Sequence, residues 1–279
     1  MVEAIKYFFK EHIENRRYIY KLAKSKAKQD TEKTTLGMYW NVVRDAVFFA
    51  TYALFITVMR GKNTGGVMEG QLMLAYLFTG LVAWYLISDF LNSGVKCIMN
   101  NKNIFTKIKF PILLLPTIET IAIFIKRIST FVMLIVLLGA LAITQGYRPN
   151  INIITLVYFG VAIFAFGVSY CLLMSGFYTI SKDFRELYKA IVRVQFYFVP
   201  IFWSIEDIVM KSHKVPEWIG PILENMPFIH LVNTFRKAIN LGTFPPMSEV
   251  LIFSGIVVVM FSLGCYIQYK LRRIYADFV

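Results

Sequence analysis

Long apolar runs separated by short polar segments organise this 279-residue chain. A helix needs about 20 apolar residues to cross roughly 30 Å of hydrocarbon. Residues 42–60, 72–90, 153–180 and 250–270 approach or exceed this length and carry few charges. The pattern therefore predicts a membrane-spanning helix at each of these four places.

Two further runs depart from the simple pattern. Residues 112–144 are longer than one span needs, and Glu119, Lys126 and Arg127 interrupt them. A cation at mid-bilayer costs roughly 2.5–3.5 kcal/mol on insertion scales, so we expect the two cations at the cytoplasmic edge. Residues 190–205 are shorter than the other runs. Counting both, the sequence predicts an all-α integral membrane protein with six transmembrane helices.

The segments outside these runs have their own patterns. Residues 206–240 are apolar but broken by prolines, which favours a re-entrant helical element on the extracellular side between the fifth and sixth spans. Residues 1–40 alternate apolar and basic positions at helical spacing, as in a cytoplasmic amphipathic helix on an anionic membrane surface. They contain no apolar run typical of a cleavable signal peptide. We therefore expect an interface segment, 1–40, and one transmembrane domain, 41–279.

Composition supports this class of protein. Charged residues make up 17% of the chain and hydrophobic residues 57%, whereas soluble domains carry about 25% charged residues. This excludes an ordinary soluble enzyme, a disordered chain and a disulfide scaffold, and the three cysteines indicate buried thiols. The net charge of +13 has its source in loops, because twenty of the thirty lysines and arginines lie in segments predicted to face the cytoplasm. Both termini are thus expected in the cytoplasm, and nucleic-acid binding is not needed to explain the charge.

Motifs for chemistry inside the chain are absent. The sequence contains no GxxxxGK[ST] phosphate-binding loop, no HExxH and no cysteine pair with metal-ligand spacing. We therefore expect neither catalysis nor a bound metal or cofactor. Charges within or beside the spans are the default functional candidates, although mutual pairing and contact with water are equally ordinary roles. These candidates for the cytoplasmic entrance are Arg44, Asp45, Asp89, Glu119, Lys126 and Arg127.

Aromatic residues crowd the first and fifth predicted spans. Their rings offer flat apolar faces with polar edges, over which a sugar chain can slide without being held. Lipid contact and core packing explain most single aromatics, but two clusters favour a translocation path. Its candidate residues are Phe48, Tyr52, Phe55, Phe196, Tyr197, Phe198, Phe202 and Trp203.

Several segments, in order along the chain, resemble motifs of ABC-transporter permeases that export polysaccharides. They are Leu36-Gly37-Met38-Tyr39-Trp40, Tyr76 to Trp84, Lys107-x-Lys109-Phe110-Pro111, Lys182 to Leu187, Pro200 to Trp203, Pro216-Glu217-Trp218 and Pro227 to Arg236. The later segments are most similar to wall teichoic acid export permeases, with O-antigen exporters in the same group. Asp45 and Met226-Pro227 depart from the family pattern.

The resemblance implies a homodimer of permeases in the bacterial cytoplasmic membrane, served by two cytoplasmic ATPase subunits that bind ATP and Mg²⁺. It implies a lipid-linked polysaccharide as substrate, with membrane lipid around the path. Contacts with the ATPase are expected at the N-terminal helix, at residues 92–107 and in the loop before the fifth span. The coupling candidates are Phe8, Phe9, Lys96, Asn100, Asn101, Lys102, Asp183 and Arg185.

Two alternatives stay open at this point. One is a membrane enzyme acting on lipid-linked sugars, with Asp89, Glu119 or Asp183 as acid or base. The other is an ABC permease for drugs or small lipids, against which the aromatic segment at 200–235 argues mildly.

Overall fold

A computed structural model describes residues 1–29, 39–60, 67–68, 71–101, 110–205, 216 and 218–272. The described chain is almost entirely helical, as predicted, apart from a hairpin of two-residue strands, β1 (Val67–Met68) and β2 (Gln71–Leu72). The ten α-helices among these residues are α1 (Val2–Glu14), α2 (Arg16–Gln29), α3 (Tyr39–Arg60), α4 (Met73–Asn92), α5 (Leu115–Gln145), α6 (Ile153–Ile180), α7 (Lys182–Phe198), α8 (Ile219–Glu224), α9 (Pro227–Arg236) and α10 (Met247–Leu271).

Four of these segments are long and apolar enough to cross a membrane. They are Met73–Lys96, Ile112–Gln145, Ile153–Ile180 and Met247–Leu271, at about 1.5 Å rise per residue. Helix α3 is 22 residues long but is not among the four. Asn41, Arg44 and Asp45 in its first turns lower its hydropathy. The membrane character of the chain is therefore confirmed, and six spans stay a prediction.

Helix α7, at the place of the predicted fifth span, lies earlier in the sequence than the predicted range 190–205. Helix α7 begins after Ser181, whose hydroxyl accepts from the amide of Phe184 at 3.1 Å, an N-cap that the apolar pattern did not reveal. It ends at Phe198 because Val199, which precedes Pro200, is extended. The helix and the predicted span thus overlap at residues 190–198 and differ at both ends, and a membrane crossing at this place stays a prediction.

The N-terminal segment forms two helices rather than one. Asn15 ends α1, and its side-chain amide donates to the carbonyl of Glu11 at 2.9 Å. Helix α1 packs on the last helix, where the Phe8 and Phe261 ring centroids are 5.0 Å apart. Helix α2 packs on α5 through buried Ile19 and Ala23. The described part of the interface segment therefore bridges α10 and α5.

The predicted re-entrant segment 206–240 lies partly outside the described residues, at 206–215 and 217. Its described part comprises α8, α9 and a π-helical turn, Lys237–Leu241. Helix α9 packs on α4, where buried Arg236 donates to the carbonyl of Tyr76 at 3.2 Å and lies 3.5 Å from that residue's ring centroid. Gly80 makes room for this guanidinium, because a Cβ there would lie 2.3 Å from Nη2 of Arg236. The described part of this segment is thus helical but interrupted, and its re-entrant course on the extracellular side stays a prediction.

Helix α4 is the centre of the bundle. Most of its residues are buried, and it packs against α5, α6 and α9. The three cysteines, Cys97, Cys171 and Cys265, are buried free thiols, as the sequence indicated. One central helix thus joins the polar 92–101 segment at one end to the helices that carry the candidate site residues.

Candidate functional site

The two predicted aromatic clusters meet. The ring of Tyr52 on α3 lies 4.7 Å from Phe202 and 6.4 Å from Phe196 (centroid distances), and Phe196 and Phe202 are 5.7 Å apart. Phe48 extends the row along α3, 6.3 Å from Tyr52. These four rings form what we call the aromatic strip, and it joins α3 to the C-terminal end of α7.

Of the four remaining predicted path residues, three have exposed rings. Phe55 and Phe198 are exposed, and Tyr197 is the most exposed of the three at 77%. Trp203 is half-buried and donates from Nε1 to the Tyr197 carbonyl at 3.3 Å. Because Phe48 is exposed while Tyr52, Phe196 and Phe202 are half-buried, the strip offers an apolar aromatic surface along one side of the bundle.

Three further aromatics were not among the predicted path residues, although Phe49 lies in the aromatic cluster of the first span and Trp84 in a motif segment. Trp84 lies 5.8 Å from Phe196, and Tyr85 lies 6.4 Å from Phe48 (ring centroids). Phe49 is buried against Tyr85 at 5.9 Å. Trp84 and Tyr85 contact rings of the strip, whereas Phe49 contacts Tyr85 behind it, and only the tertiary packing shows these contacts.

Three of the six charged candidates form one cluster near the strip. Arg127 on α5 donates to both carboxylate oxygens of Asp89 on α4, at 2.7 and 2.9 Å. The same guanidinium donates to Asp45 on α3 at 3.1 Å. Thr130 also donates to Asp45, which is only 3% exposed. We call these four residues the Arg127 cluster, and it ties three helices together.

The Arg127 cluster carries two carboxylates and one guanidinium. Its donors are directed to protein oxygens, and the Tyr85 ring lies 5.1 Å from its central carbon. A half-buried arginine held by two acids acts as a structural tie, because removing the guanidinium would leave two carboxylates without their counter-charge. The cluster therefore pairs its charges with one another, which was the ordinary role considered for them.

The other three charged candidates lie apart from this cluster. Glu119 is buried and forms an ion pair with Lys26 of α2, a residue that the sequence did not single out. Arg44 is exposed and donates to Asn41 one turn earlier on α3, at 2.9 Å. Lys126 is half-buried. The Lys26–Glu119 pair fastens the interface segment to α5.

The coupling candidate Phe8 is a core residue of the interface segment. It is buried against Phe261, Leu113, Val168 and Cys265, whereas Phe9 is exposed. His12 continues this contact: its ring stacks on Phe8 at 3.8 Å, Nδ1–H donates to the Phe8 carbonyl, and Nε2 accepts from Thr117. Burial lowers the pKa of His12 below its usual 6.5 because the charged ring is poorly solvated there.

The 92–101 part of the predicted coupling segment contacts the start of α7. Arg185 donates to the sulfur of Met99 at 3.3 Å, and Tyr188 donates to the carbonyl of Leu91 at 2.8 Å. Cys97 and Ile98 anchor the segment in the core. The remaining coupling candidates differ in position: Asn100 and Asp183 are exposed, Lys96 and Asn101 are half-buried, and Lys102 and the rest of the segment to 107 lie outside the described residues.

Within the part of the chain that the structure describes, no group of three His, Cys, Asp or Glu side chains could hold a metal ion. The candidate site thus consists of an aromatic surface, a buried ion-pair cluster and a polar segment that contacts α7. The aromatic surface can guide a molecule that slides along it, and the contact between the polar segment and α7 can transmit movement from one to the other.

Comparison with known proteins adds one relationship. No protein-family model matches the chain. The chain is 18% identical over 225 residues to the O-antigen export system permease protein RfbA of Myxococcus xanthus, an alignment that covers 81% of each protein. The aligned length, with the apolar helices described above, makes this chain a membrane protein distantly related to an export permease.

Proposed function

We propose that this chain is the permease subunit of an ABC exporter that moves a lipid-linked polysaccharide across the cytoplasmic membrane. The observation that carries the proposal is the alignment with an O-antigen export permease over 81% of both chains. A similar length and a sustained alignment are expected of two proteins that share one transmembrane design. A separate ATPase subunit supplies the energy by binding ATP and Mg²⁺, and the chain itself performs no catalysis.

The aromatic strip fits a path for sugars. Pyranose rings have apolar faces that stack on aromatic side chains, and their hydroxyls remain free for water. Exposed Phe55, Tyr197 and Phe198 extend this surface beyond the strip. A chain of weak, similar contacts favours sliding, since no single sugar is bound tightly. The lipid anchor would travel in the bilayer beside α3.

A homodimer would complete such a path. Helices α3 and α7 each expose apolar side chains next to the strip, including Val47, Val58, Ile191 and Val194. In a dimer these faces of the two copies would enclose a lane that one copy leaves open. Both termini would lie in the cytoplasm, as the charge distribution indicates.

Helix α7 offers a route from the ATPase to the strip. Its first turns contact the 92–101 segment through Arg185 and the end of α4 through Tyr188, and Phe196 lies at its other end, about 16 Å from Arg185 along the helix. A helix transmits displacement as a rigid rod over this distance. When ATP binding moves the polar segment, α7 would therefore shift the rings of Phe196 and its neighbours.

A polymer-export complementation assay tests the proposal. Cells lacking their own exporter receive this chain together with a P-loop ATPase subunit of a polysaccharide exporter, and surface polymer is measured. Tyr52→Ala and Phe198→Ala should each slow export roughly 3–10-fold, the value of one or two aromatic contacts. Complex assembly and basal ATP hydrolysis should stay near normal. Phe164→Ala, which removes a partly exposed ring on α6 that contacts Phe124 instead, is the matched control.

The result that would refute the proposal is equally clear. A chain that exports no polymer with any P-loop subunit, or that forms no complex with one, is not this permease. If drugs or small lipids are moved instead, the substrate class is wrong while the transporter class stands. If export is unchanged in both variants, the aromatic path is refuted.

The membrane-enzyme alternative is less well supported by the geometry. Its proposed acids are engaged: Arg127 binds both oxygens of Asp89, and Lys26 pairs with buried Glu119. Asp183 is exposed at the start of α7. Changing the three acids to amides should abolish activity for an enzyme and only weaken transport for a permease.

A further inference from the structure

The junction of α1 and α2 forms one wall of an open surface cavity of about 730 Å³. The turn at Asn15 forms one side, and the start of the α5 segment, at Phe110 and Pro111, forms the other. Tyr18 and Phe110 stand against each other in this lining, with ring centroids 5.9 Å apart. The cavity is open on one side, and nothing in the functions proposed above uses it. We call it the elbow cavity.

The elbow cavity is strongly basic. Arg16, Arg17 and Lys21 line it, and Glu14 is its one acidic residue. Within the described part of the chain, no acidic side chain forms an ion pair with any of the three cations, and Glu14 lies 3.9 Å from Lys10. Three like charges around one cavity repel one another, so an anion placed among them relieves the repulsion.

Apolar side chains lie beside these cations. Phe9, Ile13 and Tyr20 are exposed on the same two helices, although the opposite faces of those helices are buried against α10 and α5. A helix pair with cations and exposed apolar rings together is typical of a membrane interface, where the rings enter the acyl region and the cations meet headgroups. A ligand of the cavity is therefore expected to be anionic at one end and apolar at the other.

We propose that the elbow cavity binds the headgroup phosphate of an anionic phospholipid. Arg16 and Arg17 supply planar guanidinium forks that match phosphate oxygens, and Lys21 adds a point charge. Tyr18 and Phe110 cover the glycerol region, and the acyl chains run beside Ile13 and Phe9. The site holds the interface helices to the inner leaflet, and this assignment does not depend on what the protein transports.

Native mass spectrometry of the full-length protein in a neutral detergent tests the proposal. Phosphatidylglycerol is titrated in, and phosphatidylcholine and glycerol 1-phosphate serve as separate probes. The triple variant R16Q/R17Q/K21Q should bind phosphatidylglycerol roughly 100-fold more weakly, given about 1 kcal/mol for each cation near a headgroup. The matched variant K6Q/K24Q/K28Q removes the same charge from exposed positions of the same helices that do not line the cavity. It should bind within threefold of the original chain.

Each outcome decides the assignment. Selective loss in the first variant, with weak binding of phosphatidylcholine and glycerol 1-phosphate, supports a phospholipid site in the cavity. Equal loss in both triple variants means that diffuse charge attracts the lipid, and no loss in either means that the lipid binds elsewhere. If glycerol 1-phosphate competes as well as phosphatidylglycerol, the cavity is a site for free phosphate. The last three results overturn the proposal.

Discussion

Removing the guanidinium from the Arg127 cluster should destabilise the bundle strongly. In Arg127→Met, Asp45 keeps Thr130 as a donor but loses its counter-charge at 3% exposure, and Asp89 loses two hydrogen bonds of 2.7 and 2.9 Å. Breaking a buried ion pair by removing one partner costs about 3–5 kcal/mol. Because Asp89 is 24% exposed and water compensates part of its loss, we expect about 3 kcal/mol for this variant, the lower end of that range.

The same reasoning predicts that neutralising the whole cluster is far less harmful. The triple variant D45N/D89N/R127M leaves no uncompensated charge, and exchanging a whole buried ion group for neutral side chains is often close to neutral in stability. We therefore expect the triple variant to be about 1–2 kcal/mol more stable than Arg127→Met. Far-UV circular dichroism during unfolding by dodecyl sulfate in mixed micelles measures both differences.

Two results would refute this account of the cluster. A loss below about 1 kcal/mol for Arg127→Met would show that water reaches the acids and that the cluster behaves as a surface pair. A triple variant no more stable than the single variant would show that the guanidinium acts through packing of its apolar stem and the Tyr85 ring. Either result would remove the electrostatic tie between α3, α4 and α5.

Two further predictions follow from close contacts. Gly80→Ala places a methyl group against the buried Arg236 guanidinium and should lower the free energy of unfolding by about 1–3 kcal/mol in the same assay. Gly139→Ala is the control: no atom lies within 4 Å of the added methyl group, so this variant should be neutral or slightly stabilising. For His12, burial lowers the pKa in the docked state, so the undocked state binds the proton more readily. Docking of α1 should be complete above pH 6.5 and weaken as the pH falls below it. Hydrogen exchange of the α1 amides, corrected for intrinsic rate, checks this, and His12→Gln should abolish the pH dependence.

The apolar pattern was sufficient to predict helical membrane architecture but not every boundary. Composition along 153–180 and 250–270 reflects burial in lipid and protein alike, and helices occupy Ile153–Ile180 and Met247–Leu271. Helix α7 differs, because the Ser181 side chain caps its first turn and so sets where the helix begins, whatever the hydropathy of the residues around it. The break between α1 and α2 was not predicted either. Helix α1 ends there at Asn15, whose side-chain amide donates to the carbonyl of Glu11.

Contacts between residues that are far apart along the chain could not be predicted from the sequence. Arg127 is 82 positions from Asp45 and 38 from Asp89, and periodicity along one helix says nothing about which neighbouring helix lies opposite. The same holds for Tyr52 and Phe196, which were assigned to one path on composition alone and proved to be in contact. The pair of Lys26 could have been predicted, because Lys26 lies among apolar positions of α2. A lysine on the packed face of an interface helix needs an acidic partner.

The contact of Phe8 with Phe261 joins α1 to α10, the first and last of the described helices. On a ribosome that adds about 5–20 residues per second, α1 must wait on the order of ten seconds or more before α10 exists. During this interval α1 has no partner helix to pack on, and its 13 residues are too few to cross the bilayer. The mixed apolar and basic surface of α1 allows the helix to lie on the membrane surface during this time. It can then dock on α10 when that helix has been synthesised.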